Sequence, residues 1–375
     1  MSISSASLDI RATTTQRAVV QDSAGLPTIV NDAAMPSSRS DYILIKVLTV
    51  ALNPSDNKMG AAFPIPGAVI GMDFVGRVVE TVVSEEANDL AIGDLVCGAA
   101  HGSNPGYPSN GSFAEYVRVP AGLVLRVPDG FPLAEAAALG LPLLTNSVAL
   151  WGSMGIGALP RLPITNTEAP VLVYGGSTGS GTMAIQLLRI AGYNPIAVCS
   201  ARHFDMVKSY GASAVFDYTA DIDLGASIRN QTRGRLRHAL DCVADQASTS
   251  CCYASLGRPG GQYTHLEAIP TKWKTRKAVK SEFVLAYEAF GVSVNLPGQY
   301  NRPADLKRHN IALALYKTYQ GLLDDGILRA HPVEVIGNGF EKILEGLDQL
   351  KQGMVSGKRL VVWLDEEPKG RERVS

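Results

Sequence analysis

The sequence predicts an α/β protein in two parts: a β-rich, barrel-like part followed by a doubly wound parallel sheet. Three observations carry this. The chain has 375 residues, too many for one ordinary domain and suited to two. Its first third is a series of short Val-, Ile- and aromatic-rich runs set between glycines and prolines. From Val171 onward, apolar runs alternate with helix-length stretches, which is the pattern of βαβ units with helices on both faces.

The elements follow in order. The opening "MSISSASLDIRATTTQ" is Ser/Thr-rich with no apolar core, so it does not read as a secretory signal. "DYILIKVLTVAL", "DFVGRVVETVV", "GDLVCGAA" and "FAEYVRVP" read as strands. A helical stretch runs from Leu133 to Trp151; its apolar run "AAALGLPLLTNSVAL" is broken by Gly, Pro and Asn, so no membrane span is expected. The proline-bearing "GALPRLPITNTEAP" reads as a linker. Apolar runs at 171–174, 196–199, 214–216 and 239–243 are the parallel strands. Ile311, Leu315, Leu322 and Leu323 mark a helix that Gly326 stops. "FEKILEGLDQLKQGMVSGKRLVVWL" reads as an amphipathic helix, a turn and a strand, and the charged "DEEPKGRERVS" as a frayed end.

Composition narrows the function classes. A net charge of −1 gives no global field toward nucleic acid or membrane. The profile, 46% hydrophobic and 18% charged with 37 glycines, is that of a soluble, turn-rich protein. The five cysteines, at 97, 199, 242, 251 and 252, are odd in number and irregular in spacing, as reduced thiols in the cytoplasm would be. The adjacent Cys251 and Cys252 read as small packing residues.

The strongest functional signal is "PVLVYGGSTGSGTMAIQLLRIAGYNPIAVCSARHFD", residues 170–205. Gly175, Gly176, Gly179 and Gly181 separate an apolar run from a helix with Ala184, Leu187, Leu188 and Ala191 on one face. Such a turn lets the backbone approach a pyrophosphate closely, and the free N–H groups of the helix start receive the anion. The spacing, G-G-S-T-G-S-G, departs from G-x-G-x-x-G, but the strand before and the helix after are in place. About twenty residues beyond such a turn, an acid would bind the ribose 2′-OH of NAD. Here that position holds Ser200, followed by Ala201, Arg202 and His203. A serine hydroxyl and a guanidinium suit a 2′-phosphate, so NADPH is the expected cofactor. The alternative leaves Arg202 solvated and gives the acid's role to Asp205.

At this point a resemblance enters. "NPSDNK" (53–58), "GMDFVGRVV" (71–79), "GDLVCG" (93–98), "GSFAEYVRVP" (111–120), "AAALGLPLLT" (136–145) and "VLVYGGSTGSGT" (171–182) resemble the medium-chain dehydrogenase/reductase superfamily, in its chain order. The resemblance implies a GroES-like catalytic domain at 1–162, a Rossmann domain at 163–330 and a return to the catalytic domain at 331–375. Where the zinc branch carries Gly-His-Glu, this chain has Gly71-Met72-Asp73, and no cysteines stand at structural-zinc spacing, so no metal is expected. His101 reads as a loop histidine. "CSARHFD", "GASAVFDY", "ALDCV", "LGRPGGQY", "TRK" and "SGKRLVVWL" are similar to the trans-acting enoyl reductases of fungal polyketide synthesis, of the lovastatin type.

That resemblance implies reduction, by NADPH, of the α,β-double bond of an enoyl thioester on the acyl carrier protein domain of a polyketide or hybrid polyketide–nonribosomal peptide synthase. Lys58 is implied as the proton source over the nicotinamide; the other reading makes it a clamp for the cofactor's phosphates. "NPSDNK" is implied as a loop over the nicotinamide, in which Ser55, Asp56 and Asn57 bind the cofactor or shape the loop. The other implied cofactor contacts are Ser177, Thr178, Gly179, Ser180, Ser200, Ala201, Arg202, His203, Tyr218, Leu256, Gly257, Val355 and Ser356. The implied substrate pocket is Leu139, Gly140, Leu141, Pro142, Leu143, Leu144, Thr145 and Asn146 with Val284, Leu285, Ala286, Tyr287 and Glu288. The rival readings are a quinone or small enal/enone reductase acting on free metabolites, and a redox-dead NADPH-binding protein. "FGVSVNLPGQYNRPAD" after the last expected strand would interrupt a sheet edge, so a monomer is expected. Lys272, Lys274, Arg276, Lys277 and Lys280 form a basic run that would suit an acidic carrier protein.

Overall fold

A computed structural model describes residues 14–82, 90–157, 159–160, 168–220 and 223–364. Most of the expected linker, with the expected boundary at 162/163, lies outside the described residues.

Among the described residues, two sheets organise the chain. The first contains β3 (Tyr42–Ala51), β4 (Asp73–Glu80), β5 (Leu95–Ala99), β6 (Tyr116–Pro120) and β7 (Val124–Arg126), with β14 (Val333–Asn338) and β15 (Arg359–Trp363) added from the far end of the chain. Its order is β14-β15-β3-β4-β5-β7, with β6 also on β3. A hairpin of β1 (Thr15–Gln21) and β2 (Pro27–Ala34) is bridged, Ala18 to Ala114 and Val20 to Val69, to the segments leading into β6 and β4. β15 is buried at all five positions, so "RLVVW" reads as a continuous apolar run after one arginine. The helix α9 (Phe340–Lys351) joins β14 to β15 and buries Phe340, Ile343 and Leu347 at helical spacing. Gly346 lets α9 come close: a methyl there would lie 2.3 Å from Leu52 Cδ1.

The second sheet is wholly parallel: β8 (Pro170–Tyr174), β9 (Asn194–Cys199), β10 (Ala214–Asp217), β11 (His238–Asp241), β12 (Gly261–His265) and β13 (Val279–Phe283), in the order β10-β9-β8-β11-β12-β13. α4 (Gly179–Ile190) and α8 (Leu306–Asp324) pack on one face, and α6 (Leu224–Gln231) and α7 (Gln246–Ser255) on the other. Along β8 the side chains alternate between the two cores, Val171 and Val173 to one, Leu172 and Tyr174 to the other. The order reverses at β8, and in such sheets the ligand crevice opens where the strands end. This is the expected architecture, a β-rich part joined to a doubly wound sheet, with the chain's last strands returning to the first part.

The expected helix from Leu133 to Trp151 is present in pieces: α2 (Leu133–Ala137), then α3 (Gly140–Asn146), which continues as a π-helical turn over Ser147–Ser153. Leu133–Ser153 has the length and apolarity of a membrane-spanning helix, yet 78% of that window is buried inside the protein. "NPSDNK", expected as a loop, is instead the start of α1 (Pro54–Ala62). Proline at the first helical position and Asp56 accepting from the Asn53 N–H explain the helix start.

Arg276 also departs from expectation. Its guanidinium donates to the carbonyls of Tyr253, Leu256, Gly257 and Arg258, at 2.6 to 3.3 Å, where α7 ends. It closes a helix C-terminus and is not free for a partner, whereas Lys272, Lys274, Lys277 and Lys280 are exposed. Arg276→Ala should therefore lower unfolding stability by about 1–3 kcal/mol in denaturant titration, the usual cost of orphaned buried acceptors. Cofactor affinity should hold, because these carbonyls lie at the edge where the strands begin.

Candidate active site

The site is built where the parallel strands end. After β8, Gly175 takes φ +77°, and a methyl on Gly176 would lie 2.9 Å from Ala197 Cβ. A methyl on Gly181 would lie 2.3 Å from the Gly175 carbonyl oxygen. The glycines thus press the first turn of α4 onto the sheet, leaving a cradle that side chains would fill. Thr178 caps that helix: its Oγ1 accepts from Gly181 N at 3.0 Å and donates to the Gly175 carbonyl at 2.8 Å. Ser177, Thr178, Gly179 and Ser180 are half-buried around it. The remaining free N–H groups of the helix start suit a pyrophosphate.

After β9, Ser200 and His203 are half-buried, Ala201 and Arg202 exposed. Arg202 Nη2 donates to Ser356 Oγ at 2.8 Å, and His203 Nε2 lies 3.0 Å from the same oxygen. The structure thus brings two expected groups, residues 200–203 and 355–356, into one corner although they are far apart in sequence. Tyr218, half exposed, follows the end of β10. Asp205, exposed in the first turn of α5 (Phe204–Ser209), makes no ion pair among the described residues.

Between the two sheets lies a buried polar node. Arg359, the first residue of β15, donates to Asp73 Oδ2 at 2.5 Å, Asn53 Oδ1 at 2.7 Å and the Ala138 carbonyl at 2.8 Å. Asp73 also accepts from Asn53 Nδ2 at 3.0 Å and Leu141 N at 2.5 Å. A methyl on Gly179 would lie 3.3 Å from Arg359 Cδ, so the node abuts the N-terminus of α4. His331 lies beside it, 3.0 Å from Thr182 Oγ1; burial and the neighbouring Arg359 pull its imidazole down to about 3, so it is neutral.

Asp56 completes this node. It is 1% exposed, Oδ2 accepts from Asn53 N at 2.7 Å, and Oδ1 has no partner. Burial first, and Asp73 nearby, push its carboxyl up to about 8, so it holds its proton at neutral pH. Asn57 points elsewhere, its Nδ2 on the Leu347 carbonyl of α9 at 2.6 Å. The side chains of Asp56 and Asn57 are therefore spent on structure rather than turned to a cofactor. Ser55, half-buried, and Lys58, exposed, stand three apart on α1 and are not spent in this way; Lys58 is unpaired among the described residues.

Further corrections concern the other wall. Leu256 and Gly257 lie at the end of α7, where Arg276 takes their carbonyls, on the opposite edge of the sheet from the crevice. The end of β12 instead brings His265 and Leu266 to the crevice edge, level with Val284, whose N–H donates to the His265 carbonyl at 3.1 Å. Glu288 is an ion-pair residue: its carboxylate accepts from Leu285 N at 2.9 Å and from Arg308 at 2.5 Å. Leu139, Leu143 and Leu144 are core side chains at 0–1% exposure. Gly140, Pro142, Thr145, Val284 and Leu285 are also buried, while Leu141 and Ala286 are half-buried. Asn146 links α3 to α4, donating to Pro142 and Ser180 carbonyls at 2.9 and 3.0 Å, with its Oδ1 left unpartnered.

Tyr287 is 5% exposed and its hydroxyl reaches Met72 Sδ at 3.3 Å, across the gap between the two sheets. Ser55 Oγ reaches the same sulfur at 3.8 Å. The His101 ring stacks on Tyr287 at 3.6 Å, and burial pulls its imidazole down to about 3. His101 is a loop histidine, as expected, but a buried one that forms a wall of the site. Sequence reasoning also missed Arg359, Asp73 and Val243. Val243 is 41% exposed beside Gly175, on a turn whose two N–H groups Asp241 holds at 2.8 and 2.9 Å. A lone arginine opening an apolar strand was the available signal for Arg359.

The comparisons agree with this geometry. A family model described as alcohol dehydrogenase GroES-like domain matches residues 39–129, and one described as zinc-binding dehydrogenase matches 179–268. The chain is 44% identical over 354 residues to the trans-enoyl reductase TwmE of Talaromyces wortmannii, covering 91% of this chain and 95% of that protein. It is 44% identical over 355 residues to the trans-enoyl reductase ffsC of Aspergillus flavipes, covering 94% and 96%. Among solved structures, CurK enoyl reductase has 18% identity and a TM-score of 0.69 over 93% of this chain and 99% of its own. A mycobacterial protein solved with NADPH has 19% identity and a TM-score of 0.67, over 93% and 100%. Zinc does not fit the residues present. Asp73 is committed to Arg359, and among the described residues no three His, Cys, Asp or Glu side chains converge as a metal requires.

Asp56 carries a pH prediction. Folded, it keeps its proton up to about 8; unfolded, it loses it near 3.8. The folded state therefore binds the extra proton between those values, and this contribution to stability falls as pH rises through that window. Asp56→Asn should flatten the slope, and near pH 8 it should be the more stable form by about 1–3 kcal/mol, the cost of a poorly compensated buried group. Thermal melts of both proteins from pH 5 to 9 measure the difference.

Proposed function

The chain belongs to the fungal trans-enoyl reductases of the medium-chain dehydrogenase/reductase superfamily, and we propose that it uses NADPH to reduce a carrier-bound polyketide enoyl thioester. The observation that carries this is the 44% identity to trans-enoyl reductases over nearly the full chain. We take 1–162 with 331–375 as the catalytic part and 163–330 as the nucleotide-binding part, in keeping with which sheet each strand joins. The cysteines among the described residues are all free, which supports a cytoplasmic setting.

The residues suit the cofactor. The half-buried turn Ser177–Ser180 and the start of α4 would take the pyrophosphate. Ser200, Ala201, Arg202, His203 and Ser356 would hold the 2′-phosphate, with Tyr218 against the adenosine and Val355 beside the corner. When bound, the nicotinamide would supply a hydride to the β-carbon, so that the C=C π pair shifts into the bond between the α-carbon and the carbonyl carbon and the carbonyl π pair moves onto the thioester oxygen, giving an enolate. Lys58, exposed on α1, would then give the proton that bonds to the α-carbon. Gly140, Leu141, Pro142, Thr145 and Asn146, with Val284, Leu285 and Ala286, would form the walls of the acyl pocket. The partner is an acyl carrier protein domain of a polyketide or hybrid synthase. The chain works as a monomer, since the prolines and loop of "FGVSVNLPGQYNRPAD" directly after the edge strand β13 would interrupt pairing along that edge.

Three measurements test this. Wild-type protein should oxidise NADPH with an enoyl-pantetheine thioester and not with a free quinone; the reverse pattern would make it a quinone reductase. Lys58→Met should lower kcat while NADPH affinity holds, whereas a loss of affinity alone would make the lysine a phosphate clamp. NADPH should bind about tenfold or more tightly than NADH, the size of a charge-assisted bond. Arg202→Ala should remove most of that gap, and equal affinities in the wild type would refute the assignment.

A further inference from the structure

Two hydroxyls from opposite walls of the site converge on one sulfur. Ser55 Oγ, on α1 of the first part, and Tyr287 Oη, just after β13 of the second, lie 3.8 and 3.3 Å from Met72 Sδ. A thioether is a weak acceptor, so neither O–H is well satisfied there. The Tyr287 hydroxyl is buried, and buried hydroxyls as a rule have a good partner, while Ser55 is half-buried. Met72 is unbranched, so its sulfur can swing aside without moving backbone. The Tyr287 ring cannot swing in the same way: it is stacked on His101 at 3.6 Å and 5% exposed. His101 is neutral and cannot supply charge to the spot, and burial raises the Tyr287 phenol further above its usual value. Tyr287 therefore stays a donor throughout the working pH range.

From this convergence we propose that Ser55 and Tyr287 form a two-hydroxyl clamp on the thioester carbonyl, with Met72 Sδ holding its place until substrate enters. The inference rests on the enoyl-reductase reading above and assigns Ser55 to the substrate rather than the cofactor. In the reduction, hydride adds to the β-carbon, the C=C pair becomes the enolate C=C–O⁻, and the nicotinamide is oxidised. The two O–H groups donate to the oxygen as it gains charge; neither gives up its proton. The α-carbon receives its proton afterwards, from Lys58 or from water. Preplaced donors in a dry site act most on the charged transition state and little on the neutral substrate. The clamp also needs both parts of the chain, so it forms only when the two sheets are closed on each other.

The test uses Tyr287→Phe, which keeps the ring stacked on His101, Ser55→Ala, and the double variant. With an enoyl-pantetheine thioester, each single variant should lose kcat by about 100-fold, within the range for removing one oxyanion donor, with KM and NADPH affinity changed less than about threefold. The double variant should lose less than the product of the two, because they share one oxygen. A second readout needs no turnover. A furylacryloyl-pantetheine thioester bound with NADP⁺ should absorb further to the red than in water, and each substitution should reduce that shift. Wild-type turnover with single variants within threefold of it would overturn the clamp and leave the enzyme reading standing. Binding without a red shift would also overturn it. Neither binding nor turnover of any thioester by the wild type would overturn both.

Discussion

Everything in the cleft hangs on one buried ion pair, Arg359 to Asp73. Asp73 is fully buried and Arg359 nearly so, at 0% and 6% exposure. Taking two such charges out of water is costly, and the pair is made tolerable by further hydrogen bonds to both partners. Asn53 bonds to both partners, the Ala138 carbonyl takes a second guanidinium nitrogen, and Leu141 N–H takes the other carboxylate oxygen. Four segments meet there: the start of β15, the start of β4, the cap of α1 and the junction of α2 with α3. Removing either charge strands the other, which typically costs about 3–5 kcal/mol. The pair is therefore a poor source of net stability and a strong device for register.

That register reaches the cofactor crevice from both ends. Because Arg359 is anchored, the residues just before it are fixed in place, and Ser356 meets Arg202 and His203 at the end of β9. Gly357 must lack a side chain there, since a methyl would lie 2.4 Å from His203 Cε1. Lys358 is held by Glu334 on the neighbouring strand β14. At the other end, Arg359 lies against Gly179, the first residue of α4. One strand start thus sets the distance between the helix N-terminus that suits the pyrophosphate and the corner that suits the 2′-phosphate.

How much of this could be read in advance follows from range along the chain. The parallel sheet and its glycine turn were legible because strand, turn and helix are contiguous and their periods differ. The position of Ser200 and Arg202 just after β9 was legible by counting from the glycines. Leu256 and Gly257 were misassigned because an apolar run followed by glycines looks alike at either end of a strand. Only the sheet registers separate them, pairing Gly261 with Val279 and His265 with Phe283, so that His265 marks the crevice edge. Asp56 and Asn57 were read as cofactor contacts or as residues that shape the segment, and their side chains follow the second reading. The cap signals were present in Asn53, Pro54 and Asp56, but reading them as a loop hid that Asp56 is spent on the helix start and Asn57 on α9. Tyr287 with Met72, and Arg359 with Asp73, each join residues more than 200 apart, and no local pattern announces such a pair.

The charge balance at the cleft floor explains why the node holds two carboxyls and one arginine. A second carboxylate beside Asp73 would leave the floor with a net negative charge, close to the turn that suits an anionic pyrophosphate. Asp56 avoids this by keeping its proton, and it can do so because burial and Asp73 both favour the neutral form. His331 and His101 are neutral for the related reason that burial disfavours their charged forms. The floor is then electrically quiet. The fixed charges that a phosphate can meet are the dipole of α4 and Arg202, at the positions the crevice geometry selects. Neutrality at the floor also leaves hydroxyl dipoles, rather than ions, as the means of stabilising charge that appears only during the reaction.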